Sequence, residues 1–173
     1  MQFKFNNVKL VYTNHMTTPG NFGGYSYSII VNENDIYEKA LQAIEKNKKM
    51  VWPEDAKSLK QILRAMSAKH ASDLDEDVAS QKEIISHMND NEVLISIKSK
   101  TPVKATKKAA IGWFSTADIL VDMYSTQWGG KKFISRVAPD VISVKVTYYA
   151  EIPAQSSEQG FESEEGNGEG TPF

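Results

Sequence analysis

Basic residues gather in two stretches of this chain, and aromatic residues accompany each stretch. In the first, IKSKTPVKATKKAAIGWF, Lys98 and Lys100 occupy alternate positions of a predicted strand and therefore share one face. A predicted loop follows, and it carries Lys104, Lys107 and Lys108. The second stretch begins WGGKKF and holds Lys131, Lys132 and Arg136. Side chains of this kind, in this spacing, can neutralise a row of phosphates.

Cations that follow a phosphate backbone, interleaved with rings on which bases stack, are typical of single-stranded nucleic-acid binding. The candidate rings beside these bases are Trp113, Phe114, Tyr124, Trp128 and Phe133. Trp128 is the strongest of them, because it precedes two glycines and two lysines and is therefore expected on a turn tip. The other four are equally compatible with core packing. Phe22, Tyr25 and Tyr27, on an early glycine loop and strand, are weaker candidates.

The charge of the chain is divided unevenly along its length. The formal net charge is −2, yet residues 1–153 carry 20 basic and 17 acidic residues, a net charge of +3. Residues 154–173 contain no base, and their charged and terminal residues are Glu158, Glu162, Glu164, Glu165, Glu169 and Phe173. The few large apolar side chains of this segment bury too little surface to offset the conformational entropy lost when it is ordered. We therefore predict a basic folded domain over 1–153 and a disordered acidic tail over 154–173.

Hydrophobic periodicity predicts two early strands and then helices. The first strand changes parity between Phe5 and Val8, which predicts a bulge at Asn6 and Asn7. GYSYSIIV predicts the second strand. From Asn34 to about Asn89 the period becomes 3.6, which predicts a helical insertion. Its third helix is expected to take Ser72 as its N-cap, with the acids of 73–77 in its first turn and Leu74, Val78, Ile85 and Met88 facing inward.

After the insertion the period returns to two. Four or five strands are predicted, in the segments NEVLISIKS, AAIGWFS, ADILVDMY, KKFISRV and DVISVKVTYYAEI. Strict alternation in the last segment is expected to place its even-numbered residues, 142 to 152, on one face. The paired glycines of WGG favour a hairpin turn. This order predicts a mainly β protein, an OB-like antiparallel five-stranded barrel with two or three helices inserted between its early strands.

Other chemistry has little support in the sequence. The chain has no P-loop, GxSxG or HExxH motif, and without cysteine it has neither disulfides nor a thiolate zinc site. His15, His70 and His87 are scattered and expected at surface or boundary positions, so no metal or cofactor is predicted. A metal-dependent nuclease, drawing on Asp118, Asp122 and Asp140, is a lesser alternative. No apolar run has membrane-spanning length, and a soluble intracellular protein is expected.

Two long segments and the tail carry a family resemblance. GYSYSIIVNENDIYEKALQAIE has the order of a barrel strand leading into a helix, and ADILVDMYSTQWGGKKF with DVISVKVTYYAEIP has that of late strands around a glycine-containing loop. Together with an acidic, Phe-terminated tail, they resemble bacteriophage single-stranded DNA-binding proteins of the replication and recombination machinery. The tail is similar in kind rather than in letters, since it ends Gly-Thr-Pro-Phe after spaced glutamates.

The resemblance implies a non-catalytic protein that coats and protects single-stranded DNA during phage replication, recombination and repair, in the cytoplasm of the infected bacterium. It also implies that the tail competes with DNA for the basic groove and that its tip recruits a DNA polymerase, helicase-primase or nuclease. Homodimers are frequent in such proteins. The residues alone leave two alternatives open. The chain is equally compatible with an OB-like protein-interaction or virion assembly factor whose lysines are solvated surface. RNA also stays open as the ligand, since no residue pattern in the sequence distinguishes a 2′-hydroxyl.

Overall fold

Five strands form a closed barrel in the order β1-β2-β3-β5-β4, with β4 pairing back onto β1. The chain is described here by a computed structural model over residues 1–49, 51–103, 111–127 and 134–151. The strands are β1 (Gln2–His15), β2 (Tyr25–Asn32), β3 (Glu92–Ser99), β4 (Thr116–Gln127) and β5 (Ile134–Tyr148). A mainly β, OB-like barrel with a helical insertion after its second strand is therefore confirmed. The predicted domain boundary at 153 lies outside the described residues.

The helical insertion contains three α-helices within its described residues, α1 (Glu33–Lys46), α2 (Leu59–Ala65) and α3 (Ala79–Ser86). Helix α1 begins where it does because the Asn32 side chain accepts hydrogen bonds from the backbone N–H groups of Asn34 and Asp35, both at 3.0 Å. Its buried stripe, Ile36, Ala40, Ala43 and Ile44, joins the barrel core. Between α2 and α3, Lys69 pairs with Leu94 through two backbone hydrogen bonds of 3.0 and 2.8 Å, so the insertion covers one edge of β3.

The predicted start of the third helix is wrong. Helix α3 begins at Ala79, and Ser72 lies instead in a short 3-10 turn, Ala71–Asp73. The acids expected in the first helical turn lie in the turns before α3. There the Asp73 carboxylate accepts a hydrogen bond from the backbone N–H of His70, and the Asp75 carboxylate accepts one from that of Asp77. Such local side-chain to backbone bonds compete with helix formation. Ile84 is the fully buried residue of α3, whereas Val78, expected to face inward, is exposed.

Bulges decide which residues of the long strands face the core. The bulge predicted in β1 is confirmed, since Phe5 pairs with Ile119 and Val8 with Ala117. Between these two pairs, β1 has one residue more than β4. Asn7 has a φ of 50°, a left-handed conformation that Asn tolerates better than most residues. The strict alternation predicted for the last strand is wrong. Register shifts in the β4–β5 pair interrupt it, so Val141, Val144, Val146 and Tyr149 pack against the core while Ile142 and Tyr148 are exposed.

The later part of the chain has fewer strands than predicted within the described residues. Residues 111–115 form a turn rather than the strand expected from AAIGWFS, and β5 runs without a break through Pro139, where two strands were expected. β4 and β5 are antiparallel neighbours, as a hairpin requires, but the WGG segment between them lies outside the described residues. Within the described ranges, no helix is long and apolar enough to cross a bilayer.

Candidate nucleic-acid interface

The outer face of β2 and β3 is divided into a polar half and an apolar half. Odd-numbered residues, Tyr27 and Ile29 on β2 and Ile95 and Ile97 on β3, point into the core, so even-numbered residues point outward. The register pairs Ser26 with Lys98 and Ser28 with Ser96. We call these four residues the serine–lysine face. Lys98 and Ser96 are exposed, Ser26 is half-buried and Ser28 is buried, and Lys100 follows as an exposed residue just beyond the end of β3.

The apolar half is covered by the insertion. Ile30 and Leu94, which pair with each other, form a second buried cluster with Val11 and Ile84. Leu74, Met88, Trp113 and Phe114 pack around that cluster. Burying these apolar side chains fixes α3 and the 111–115 turn against the barrel. The polar half is left as a small hydroxyl-rich platform with Lys98 on it.

A row of aromatic rings borders this platform on the β1 side. Tyr12 and Trp113 meet edge to face with ring centroids 5.0 Å apart, and Trp113 meets Phe114 in the same way at 6.3 Å. Phe114 stacks on His87 with centroids 3.6 Å apart and planes within 10°. We call these four residues the aromatic row. Tyr12, next to the Val11–Ser28 pair, is 39% exposed, whereas Trp113 and Phe114 are half-buried.

The backbone of the aromatic row is strained at two positions. Tyr12 has a φ of 54° and Phe114 a φ of 67°, in a left-handed region that non-glycine residues seldom occupy. Two backbone hydrogen bonds hold this geometry, from the Phe114 N–H to the Leu10 carbonyl (2.7 Å) and from the Leu10 N–H to the Ser115 carbonyl (2.8 Å). Burial raises the pKa of the Tyr12 hydroxyl above its ordinary value of 10.0. Strained residues held in this way frequently mark functional positions.

The described residues on either side of the loop lysines contact the same part of β1. The Val103 N–H donates to the Met16 carbonyl at 2.8 Å, and the Thr13 hydroxyl donates to the Ile111 carbonyl at 2.6 Å. Val103 and Ile111 therefore both lie next to the end of β1. Lys104, Lys107 and Lys108 themselves lie outside the described residues. Phe22, on the β1–β2 loop at this end, is fully exposed.

On the side of β3 away from β2, the register partners of Lys98 lie on β5 and then on β4. Lys98 pairs with Asp140, and Asp140 with Asp122. Tyr124 is half-buried and points outward from β4, between buried Met123 and Ser125. The outer surface around Lys98 is thus bordered by serines on one side and by two carboxylates and Tyr124 on the other.

Several predicted site residues are not described in full. Arg136 lies in β5 with its backbone opposite Thr126, and its side chain lies outside the described part of the structure. Trp128, Lys131, Lys132 and Phe133 lie outside the described residues, as do all the tail residues, Glu158, Glu162, Glu164, Glu165, Glu169 and Phe173. Their assignment to DNA or partner binding stays a prediction.

The sequence interpretation overlooked two features. Tyr12 escaped notice because its parity suggested an ordinary strand residue, and a bulge turns it outward.

The insertion also carries a net charge of +5 over residues 46–69, which contain Lys46, Lys48, Lys49, Lys57, Lys60, Arg64 and Lys69 against Glu54 and Asp55. Among the described contacts, Lys57 is the one of these bases in an ion pair, with Glu54 at 3.9 Å. A charge count by segment would have revealed this second basic surface.

Two of the three carboxylates considered for a nuclease, Asp118 and Asp122, are engaged elsewhere. Asp118 accepts the backbone N–H of Asn7 at 2.9 Å, and Asp122 pairs with the N-terminal ammonium group at 2.7 Å. Within the described ranges, no group of three or more His, Asp or Glu side chains is arranged to hold a metal ion.

Comparison with solved structures identifies chains with the same fold. The single-stranded DNA-binding protein from bacteriophage Enc34 in complex with ssDNA aligns with a TM-score of 0.55 and 15% identity, over 87% of this chain and 88% of that one. A C-terminally truncated form of the same protein gives a TM-score of 0.53 at 15% identity, over 87% of each chain. Neither family models nor curated proteins gave a match. At this identity, the likeness shows a shared fold.

Proposed function

We propose that this chain is a non-catalytic single-stranded DNA-binding protein of a bacteriophage, acting in the cytoplasm of the infected bacterium to coat and protect DNA during replication, recombination and repair. The observation that carries the proposal is the serine–lysine face, where Lys98 and Ser96 are exposed on the β2–β3 surface that OB folds use for oligonucleotides. The Enc34 protein, of the same fold, is described in complex with ssDNA.

Phosphates bind along Lys98 and Lys100, and the bases stack on rings at the border of the platform. Tyr12 and Trp113 offer the nearest described rings, and Trp128 and Phe133 belong to the proposed site on the β4–β5 side. The hydroxyls of Ser26 and Ser96 donate hydrogen bonds to phosphate or sugar oxygens, which position a strand without reading its sequence. Binding of this kind is tolerant of sequence.

The tail is the regulatory part of the proposal. The domain of residues 1–153 carries +3 and the tail −5, so the two attract each other. The tail competes with DNA for the basic surface, and once DNA displaces it, the tip at Phe173 recruits a replication partner such as a polymerase, helicase-primase or nuclease.

Titration of the full-length protein with oligo(dT) at two salt concentrations tests the DNA proposal. Tryptophan fluorescence is expected to be quenched by stacking. If about four phosphates are neutralised, log affinity falls with log salt at a slope near −3, from about 0.7 per phosphate. A protein-interaction or virion assembly factor gives neither quenching nor salt dependence, and cleavage of labelled DNA with Mg²⁺ or Mn²⁺ identifies a nuclease. Parallel titration with oligo(U) distinguishes RNA binding.

A further inference from the structure

A groove of about 350 Å³ lies in the helical insertion, away from the serine–lysine face. Ile44, at the end of α1, and the following residues Val51 and Trp52 supply its apolar wall. Val51 is 86% exposed and Trp52 only 5%, so an exposed aliphatic side chain stands beside a buried indole. A cavity of this size is at the lower limit of ligand-binding pockets and suits one large side chain.

The polar wall of the groove is mainly basic. Lys48 and Lys57 line it, against one acid, Glu45, and Lys57 also lies 3.9 Å from the exposed carboxylate of Glu54. Both lysines belong to the segment 46–69 that carries a net charge of +5. In addition, the indole N–H of Trp52 is buried and has no acceptor among the described residues. An apolar wall, two ammonium groups and an unpaired donor together fit an aromatic side chain that bears a carboxylate.

We infer that the groove binds the chain's own C-terminus, Phe173 with its terminal carboxylate. The ring would lie against Val51 and Trp52. A buried Phe side chain removes about 150–250 Å² of surface from water, which would stabilise the docked tip. The carboxylate would pair with Lys48 or Lys57 and bring an acceptor to the Trp52 N–H. The glutamates that precede Phe173 are opposite in charge to the segment 46–69, from which the two groove-lining lysines come.

Chain length allows this contact. Twenty-two residues follow Glu151, and a fully extended chain covers about 3.3–3.6 Å per residue, or roughly 75 Å in all. A domain of this size has a radius of gyration of about 15 Å, so the tip can reach any part of its surface. Tethering also gives the tip a local concentration in the millimolar range, so even a weak site is occupied.

The position of the groove connects it to the proposed DNA site. Asn47, which lines the groove, donates a side-chain hydrogen bond to the Ser125 carbonyl on β4 at 3.3 Å. The groove therefore adjoins β4 at Ser125, and the segment that follows β4 in the sequence contains Lys131 and Lys132. A docked tip would hold the tail glutamates beside this part of β4. This part of the inference rests on the proposed competition between tail and DNA, whereas the docking site itself does not.

A spin label near the C-terminus tests the docking site in the full-length protein. The chain has no cysteine, so Thr171→Cys creates a single labelling position. We expect the strongest paramagnetic broadening at the amides of residues 44–57, and its loss in Val51→Glu or Phe173→Ala protein. Lys82→Glu, a charge reversal at an exposed position of α3, serves as the control and should leave the broadening unchanged.

The outcomes separate this inference from the proposed function. Strongest broadening around Ser26 and Lys98, or broadening that survives Val51→Glu, overturns the docking site, and DNA binding can still hold. Broadening at the groove without any oligo(dT) binding supports docking and overturns the proposed function. If spin-labelled protein of natural isotopic abundance broadens an unlabelled, ¹⁵N-enriched copy to the same extent, a second chain supplies the tail, which overturns docking within one chain. Groove amides that shift with oligo(dT) in Phe173→Ala protein identify DNA as the occupant and also overturn it.

Discussion

Lys98 of β3 and Asp140 of β5 are register partners where these two strands of the barrel pair in parallel. Partners in register point to the same side of a sheet, so a carboxylate stands beside the lysine at the centre of the proposed interface. No ion pair within 4.0 Å joins them in the described contacts. Asp140 therefore lowers the positive potential of this surface without neutralising Lys98, and it sets a limit on the affinity for phosphate.

The first prediction concerns this pair. Lys98→Ala should weaken oligo(dT) binding by about 1.5–3 kcal/mol, the value of a hydrogen bond to a charged group, and reduce the salt slope by about 0.7. Asp140→Asn should tighten binding, because it removes repulsion of the phosphates. Lys4→Ala is the control, an exposed lysine on β1 where that strand pairs with β4. Titrations in which Asp140→Asn has no effect, or in which Lys4→Ala costs as much as Lys98→Ala, contradict the proposed interface.

The second prediction concerns the aromatic row. Tyr12→Ala should lose about 1–3 kcal/mol of oligo(dT) affinity, the contribution of one stacked base. Tyr148→Ala removes another exposed tyrosine, 58% exposed on β5, and should leave the affinity unchanged. Phe114 differs from Tyr12 because His87 already covers one face of its ring. Equal losses from Tyr12→Ala and Tyr148→Ala would show that Tyr12 has no specific role.

The unpaired hydroxyl of Tyr27 leads to a third prediction. This ring is 2% exposed, and its O–H has no hydrogen-bond partner among the described residues. Tyr27→Phe should therefore raise the free energy of unfolding by about 1 kcal/mol, since an unsatisfied buried hydroxyl is costly. In Tyr37→Phe, the matched control, a hydrogen bond of 3.0 Å to the Lys57 carbonyl is lost, and stability should fall. Urea unfolding at neutral pH measures both changes.

Tyr27 also gives the stability a defined dependence on pH. Burial raises the pKa of its hydroxyl above the ordinary value of 10.0. Above that value the unfolded chain releases the proton while the folded chain keeps it, so stability falls as pH rises. The loss is absent below about pH 10 and grows toward the folded-state pKa. Tyr27→Phe should reduce the slope of unfolding free energy against pH between about pH 10 and 11, and an unchanged slope contradicts this assignment.

Local patterns in the sequence predicted the features that local physics determines. The slip in parity at Asn6 and Asn7 located the β1 bulge, and the 3.6-residue period located α1 and α2. The 111–115 turn was missed because long-range hydrogen bonds to Leu10 determine it, and Ile111, Trp113 and Phe114 are residues that favour strands. The faces of β5 were missed for a related reason, since its register shifts depend on the pairing with β4.

The candidate site was predictable in its chemistry more than in its geometry. Strand spacing predicted an outward-facing Lys98, because alternate residues share a face in any strand. It also placed Lys100 on that strand face, whereas β3 ends at Ser99 and Lys100 lies just beyond it. The neighbouring serines and Asp140 could not be inferred, since they reach Lys98 through β2 and β5, which are distant in sequence. Tyr12 required knowledge of its left-handed backbone.

The final prediction concerns the tail. Deleting residues 154–173 changes the formal net charge from −2 to +3 and should tighten oligo(dT) binding. The gain should be larger at low salt, because the Debye length is about 30 Å at 0.01 M and about 8 Å at 0.15 M. Replacing the five tail glutamates by glutamine, with length and Phe173 kept, should give most of the same gain if charge is the cause. Truncated protein that binds DNA equally well or more weakly contradicts competition, whereas a gain from truncation without one from the glutamine variant assigns the effect to the Phe173 tip.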